Sequence, residues 1–169
     1  MIQARSFAPL ARRDARVLIL GSMPGAESLR RRQYYAHPRN QFWPIMSELV
    51  GADPRLPYAQ RVVRLLEHRI AVWDVLKQCR RDGSLDSGIA RDSEVANDLA
   101  DFLERHASLR AVFFNGGKSE TVFGRQVRAR LGVAARGLRY ARLPSTSPAH
   151  AGMSAAAKLR AWRRIEAYL

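Results

Sequence analysis

Four short β-prone runs, at residues 17–20, 70–75, 111–114 and 138–143, constrain this chain more than anything else in it. Three of them, VLIL, IAVWDV and AVFF, are almost wholly apolar. A half-exposed strand alternates apolar and polar residues, so runs without alternation belong in a sheet that is covered on both faces. The segments between the runs are long and helically patterned, the sequence form of strand, crossover helix, strand. The chain is therefore expected to be α/β, with a mostly parallel sheet and helices on both sides.

Helical patterning spans about 42–50, 58–69, 94–106, 118–131 and 155–168. The last segment has Ser154 as an N-cap and sets Leu159, Trp162, Ile165 and Leu169 on one side. A chain of 169 residues has room for one real core and not for two. No repeat or low-complexity tract divides it. Residues 15–169 are read as a single domain and residues 1–14 as a loosely attached N-terminal arm.

Open α/β sheets bind ligands at the carboxyl ends of their strands, so the residues leaving each run carry the functional information. All four exits are unusual. They read Gly21-Ser22-Met23-Pro24-Gly25, then Trp73-Asp74, then Asn115-Gly116-Gly117-Lys118-Ser119, and last Pro144-Ser145-Thr146-Ser147-Pro148. Small residues let a ligand reach backbone N–H groups, and proline holds a turn in shape. GSMPG alone is no more than a tight turn. NGGKS is not a Walker A loop, because Val112 stands where that motif needs glycine. Lys118 and Ser119 remain candidates for holding a phosphate group at a helix N-terminus.

Between the first exit and the first long helix lies YYAHPRNQFWP, residues 34–44, with four aromatics, a histidine and an asparagine. Phe42 and Trp43 run into the apolar pattern of Ile45, Met46 and Leu49 and are read as core. Tyr35, in a polar loop bounded by Pro38, is the better candidate for stacking on a planar ligand.

Charge narrows the class of partner. A net charge of +14 and a pI near 11.3 point to a polyanion such as nucleic acid. Only three of the 29 basic residues are lysine, an imbalance that a GC-rich genome also produces. Arg12, Arg13, Arg30, Arg31, Arg32 and Arg39 flank the first exit, where phosphates would lie. Asp82, Asp86, Asp92, Glu94, Asp98, Asp101 and Glu104 crowd one stretch, and nucleic acid is expected to avoid that face. The single cysteine, Cys79, rules out an internal disulfide and any four-cysteine metal site. No apolar stretch approaches the roughly 20 residues that span a bilayer, and no signal pattern opens the chain, so a cytoplasmic, nucleoid-associated protein is expected.

GSMPG followed by YAHPRNQFW resembles the GxxPG and FAHPxNRFW motifs of mismatch-specific uracil-DNA glycosylases. Three further stretches, WDVLKQCRRDGSLDSGI from Trp73, FFNGGKS from Phe113 and LPSTSPA from Leu143, resemble the hypoxanthine-DNA glycosylase branch of the uracil-DNA glycosylase superfamily. The resemblance implies a three-layer αβα sandwich around a short parallel sheet. It also implies a base-flipping hydrolase whose partner is DNA carrying a damaged or deaminated base, acting as a monomer without metal or cofactor. Mismatch-specific relatives hold the attacking water with an Asn in the middle of GxxPG, where this chain has Met23. In the hypoxanthine branch the role falls to the Asn of HPxN, here Asn40.

By the same resemblance Tyr35 stacks on the flipped base. Gly21, Ser22, Met23, Pro24 and Asp74 line its pocket, and Ser145, Thr146 and Ser147 hold phosphate. Leu143 replaces the superfamily's usual histidine before Pro-Ser, and His150 is the nearest substitute. The resemblance gives no support to Schiff-base chemistry at Lys118, so a monofunctional enzyme is expected. A mismatch-specific uracil or thymine glycosylase is the alternative, and a non-catalytic nucleic-acid-binding module the second.

Overall fold

In the computed structural model, which describes residues 1–169, each of the four β-prone runs is a strand. The strands are β1 (Ile2–Arg5), β2 (Val17–Gly21), β3 (Ile70–Asp74), β4 (Leu76–Arg81), β5 (Val95–Ala96), β6 (Ala111–Asn115) and β7 (Arg139–Leu143). The helices are α1 (Ala26–Arg31), α2 (Phe42–Val50), α3 (Tyr58–Glu67), α4 (Leu99–Arg105), α5 (Gly117–Gln126), α6 (Val133–Arg136) and α7 (Ala155–Trp162).

The central sheet runs β3-β2-β6-β7, and every pairing in it is parallel. All five residues of β2 are buried, because both faces are covered. Leu18 and Leu20 enter one apolar cluster with Val112, Phe114, Phe102 of α4, Val122 and Phe123 of α5 and Ala135 of α6. Val17 and Ile19 enter the other with Val72, Phe113, Phe42 and Met46 of α2, Leu65 of α3 and Trp162 of α7. Successive side chains thus feed opposite cores, the reason the runs lack alternation. Full burial of each such side chain contributes roughly 1.5–3 kcal/mol. The three-layer αβα architecture is the one expected.

Four segments differ from expectation. Residues 1–14 are not a loose arm: β1 pairs antiparallel with β4, Ala4 opposite Cys79, and β4 pairs with β5 to complete a second, three-stranded sheet. Leu10 bridges to Val72, and Trp73 Nε1 donates to the Phe7 carbonyl at 3.0 Å. Ala4 is the one buried residue of β1, too weak an apolar signal to mark a strand. The helix expected from residue 94 begins only at Leu99. Glu94 is instead drawn inward between Lys118 and Arg125, and Val95–Ala96 joins the small sheet. The helix expected over 118–131 ends at Gln126, and that over 155–168 tightens into a 3₁₀ turn after Trp162.

Ser154 does cap α7, its Oγ accepting from Ala157 N at 3.2 Å. Ser154→Ala is expected to cost about 1 kcal/mol, a fall of about 2–4 °C in Tm for a chain of this size, read by calorimetry.

Candidate active site

Parallel register brings the four strand exits side by side. Gly21 lies opposite Asp74, and Asn115 opposite Leu143. Over them opens a cleft of about 650 Å³, walled by residues 21–28, the Tyr34–Asn40 loop, Asp74, residues 84–87, Asn115 and the 145–150 loop.

The floor is built on a close approach. A Cβ at Gly21 would stand 2.5 Å from Asp74 Oδ1 and 3.1 Å from Tyr35 Oη, so only glycine leaves room for both groups. Beyond it the loop continues the pairing with the β3–β4 junction, through Val75 N to Gly21 O at 2.8 Å and Leu76 N to Ser22 O at 3.1 Å. The Met23 side chain is 6% exposed and belongs to the apolar cluster below, which is why an apolar residue is accommodated here. Beneath Pro24 lies Arg81, fully buried, whose Nη2 donates to the Pro24 carbonyl at 2.6 Å.

Nucleic acid was expected to avoid the acidic stretch that includes Asp86. Residues 84–87, Asp86 among them, form a cleft wall instead. Ser22 Oγ donates to Asp86 Oδ1 at 2.6 Å, and Ser84 Oγ accepts from Ala26 N at the start of α1 at 3.2 Å. Water reaches Asp86, yet the concavity surrounds it with protein, and this desolvation raises its carboxyl above the usual range. Asp74 is buried outright, 3% exposed, and Oδ2 has no partner in the protein. Burial first, and the nearby Asp86 second, push its carboxyl up to about 8, against the opposing pull of Arg81.

Tyr35 sits in the left-handed region at φ 54°, which costs a non-glycine residue on the order of 1 kcal/mol or more. Its neighbours enforce it. Trp43 Nε1 donates to Tyr34 O at 2.9 Å, Tyr34 N donates to Tyr58 Oη at 3.0 Å, and Ala36 N donates to Ser28 Oγ at 3.1 Å. The Tyr35 ring lies on Phe42, centroids 4.0 Å apart and planes at 22°, and its hydroxyl is buried without a partner. Asn40, at the same wall, accepts from Phe42 N through Oδ1 at 2.9 Å, an Asx-type turn that leads into α2. A carbonyl oxygen keeps a second lone pair, and Asn40 Nδ2 has no protein partner, so both ends of the amide remain available to the cleft.

The opposite wall is cross-braced. Asn115 Nδ2 donates to Thr146 Oγ1, and Thr146 N donates to Asn115 Oδ1, both at 2.9 Å. Gln41 N donates to Thr146 O at 2.9 Å, tying this loop to the Asn40 wall. Thr146 is fully buried, so its hydroxyl is spent on the brace and does not face a phosphate. Ser145, Ser147 and His150 do line the cleft, with α7 fixing their loop through Lys158 Nζ to His150 O at 2.7 Å and Trp162 Nε1 to Pro144 O at 2.9 Å. Leu143 is buried at the end of β7 and offers no polar group.

Lys118 and Ser119 are not brought to the cleft. Lys118 Nζ lies 2.5 Å from Glu94 Oε1, and Ser119, fully buried, donates to Gly116 O at 3.0 Å. Of the flanking arginines, Arg30 and Arg31 pair with Glu27 and Arg12 with Asp14, whereas Arg39 lines the cleft. Asn115 stood out in the sequence only as part of an exit loop, and Asp86 only as part of the acidic stretch. A polar residue closing an apolar strand directly before Gly116-Gly117 was the available signal for the first. Asp86 had none, since only the fold turns it inward. No three His, Cys, Asp or Glu side chains group to hold a metal ion.

A family model for the uracil DNA glycosylase superfamily matches residues 8–167. A hypoxanthine DNA glycosylase of Methanosarcina barkeri is 36% identical over 119 residues, 70% of this chain and 74% of that protein. A protein of the same name from Methanosarcina acetivorans is 38% identical over 116 residues, 68% of this chain and 72% of that one. A solution NMR structure from Methanosarcina acetivorans, described as a candidate uracil DNA glycosylase, superposes with a TM-score of 0.77 at 30% identity, covering 98% of this chain and 99% of that one. With the fold, the exit-loop cleft and the match over nearly all its length in agreement, the chain belongs to the uracil DNA glycosylase superfamily.

Proposed function

We propose that this protein is a monofunctional DNA glycosylase that hydrolyses the N-glycosidic bond of a flipped, deaminated base, hypoxanthine first, and leaves an abasic site. One observation carries the reading: an aromatic stack, a partly unpartnered amide and a buried carboxyl, from Tyr35, Asn40 and Asp74, converge on one cleft at the strand exits. The names of the two Methanosarcina relatives support hypoxanthine as the first substrate to try.

Extruding a nucleotide costs a few kcal/mol in lost stacking, and the ring of Tyr35, backed by Phe42, offsets part of it by stacking on the base. The bond breaks with positive charge on the sugar and negative charge on the base, so the protein must present a water to C1′ and a donor to the base. Asn40 positions the water through its amide. Ser145, Ser147, His150 and Arg39, at the cleft wall and mouth, hold the phosphates beside the lesion. The enzyme then works as a monomer on cytoplasmic DNA. No helix is long and apolar enough to cross a membrane.

The test is product analysis on a deoxyinosine duplex. Free hypoxanthine should appear while the strand stays whole until alkali is added, and borohydride should trap no protein–DNA adduct. Strand scission without alkali, together with a trapped adduct, would overturn monofunctional hydrolysis.

A further inference from the structure

We propose that Asp74 donates a hydrogen bond to the departing base from the floor of the cleft and thereby stabilises the leaving group. The inference rests on the glycosylase reading above and adds to it the group that receives the negative charge.

Three features on the floor point to it. Asp74 Oδ2 and Tyr35 Oη are both buried and both without a protein partner, although buried polar atoms are nearly always paired. The two groups crowd the same Gly21 Cα, so they form one polar spot at the strand ends. A base seated against Tyr35 supplies the missing partners. The backbone behind them is fixed, because Asn97 Nδ2 donates to Asp74 O at 2.9 Å. Leu143, meanwhile, leaves the carboxyl end of β7 with no side chain able to donate.

The protonation state follows from the surroundings. Asp86 faces Asp74 from the 84–87 wall, Tyr34 and Tyr35 from the aromatic loop, and Arg81 from β4. Arg81 is the one cation among them; its Nη2 donates to the Pro24 carbonyl, while its Nε and Nη1 are buried without a protein partner. Burial and the second carboxyl outweigh it, leaving Asp74 largely protonated at neutral pH. An ionised Asp74 would repel the base as it becomes an anion, whereas the acid stabilises it.

The balance is simple. The C1′–N bond breaks and its electron pair goes to the base. Asp74 shares or transfers its proton to a base heteroatom, the water adds to C1′, and the proton it releases restores the one Asp74 gave up.

The experiment is a pH series of single-turnover cleavage on a deoxyinosine duplex with the wild type, Asp74→Asn and Asp74→Ala. The wild type should slow as pH rises past about 8, as Asp74 loses its proton. Asp74→Asn keeps a donor that cannot ionise, so it should retain activity within about tenfold and lose the alkaline fall. Asp74→Ala should be slower by about 10²-fold at neutral pH. An ionising base would affect every variant alike, so Asp74→Asn is its own control.

Folding gives a second readout. With its folded pKa raised, Asp74 contributes stability that is fully present below the unfolded value and lost as pH rises to about 8. Asp74→Asn should therefore gain Tm over the wild type progressively on going from acid to alkaline buffer.

An alkaline fall that persists unchanged in Asp74→Asn, or an Asp74→Ala rate within threefold of wild type, would overturn the inference while leaving the glycosylase reading intact. A wild type that releases no base from any deaminated duplex would overturn both.

Discussion

Asn40→Ala is expected to slow base release from a deoxyinosine duplex by about 10²- to 10³-fold in single-turnover assays, the usual consequence of deleting a positioned polar group at a charge-developing centre. The same change should leave the protein folded. Its structural cost is the lost hydrogen bond from Phe42 N, about 1 kcal/mol, which lowers Tm by a few degrees. The two effects differ in size by enough to be told apart. A purely structural Asn40 predicts the small Tm shift with nearly full activity at a temperature well below melting. A water-positioning Asn40 predicts the large kinetic loss there.

Gly21→Ala should be nearly as damaging for a different reason. Its Cβ would overlap Asp74 Oδ1 at 2.5 Å, and the carboxyl group cannot swing away because Asp74 is buried at the end of a strand in register with Gly21. Overpacking of this kind costs about 1–3 kcal/mol, and displacing floor groups by even 1 Å can cost about 10²-fold in rate. Gly124→Ala is the matched control. It has no heavy atom within 4 Å of the added methyl, lies in α5 away from the cleft, and should keep wild-type cleavage and melt no earlier than the wild type.

Why some of this was legible in the sequence, and some not, comes down to the range over which each feature is determined. The central strands were legible because burial on both faces removes polar residues from the run itself, as in VLIL of β2. Helix α2 was legible from its apolar spacing, and the exit loops from their glycines and prolines. Strand β1 was not, because its stability comes from pairing with β4 and not from its own composition. Helices α1 and α6 are too short to show a period.

At the site, Tyr35 and Asn40 could be singled out from local chemistry and motif resemblance, and the structure sets both at the cleft. Lys118 could not be judged locally. Its electrostatic partner, Glu94, lies 24 positions away in the chain, and that pairing turns the lysine from a phosphate contact into a structural ion pair. The acidic stretch misled for the same reason, since the fold sets Asp86 in the cleft wall and Glu94 in a buried ion pair, roles that a count of charges cannot reveal.

The most direct test of the central claim sets the wild-type protein against matched duplexes carrying one deoxyinosine, one deoxyuridine or neither, with alkali used to reveal abasic sites. Strand breaks at deoxyinosine, faster than at deoxyuridine and absent from the undamaged duplex, are the expected result. Cleavage at deoxyuridine alone would contradict the hypoxanthine assignment, and tight binding without any cleavage would contradict catalysis itself.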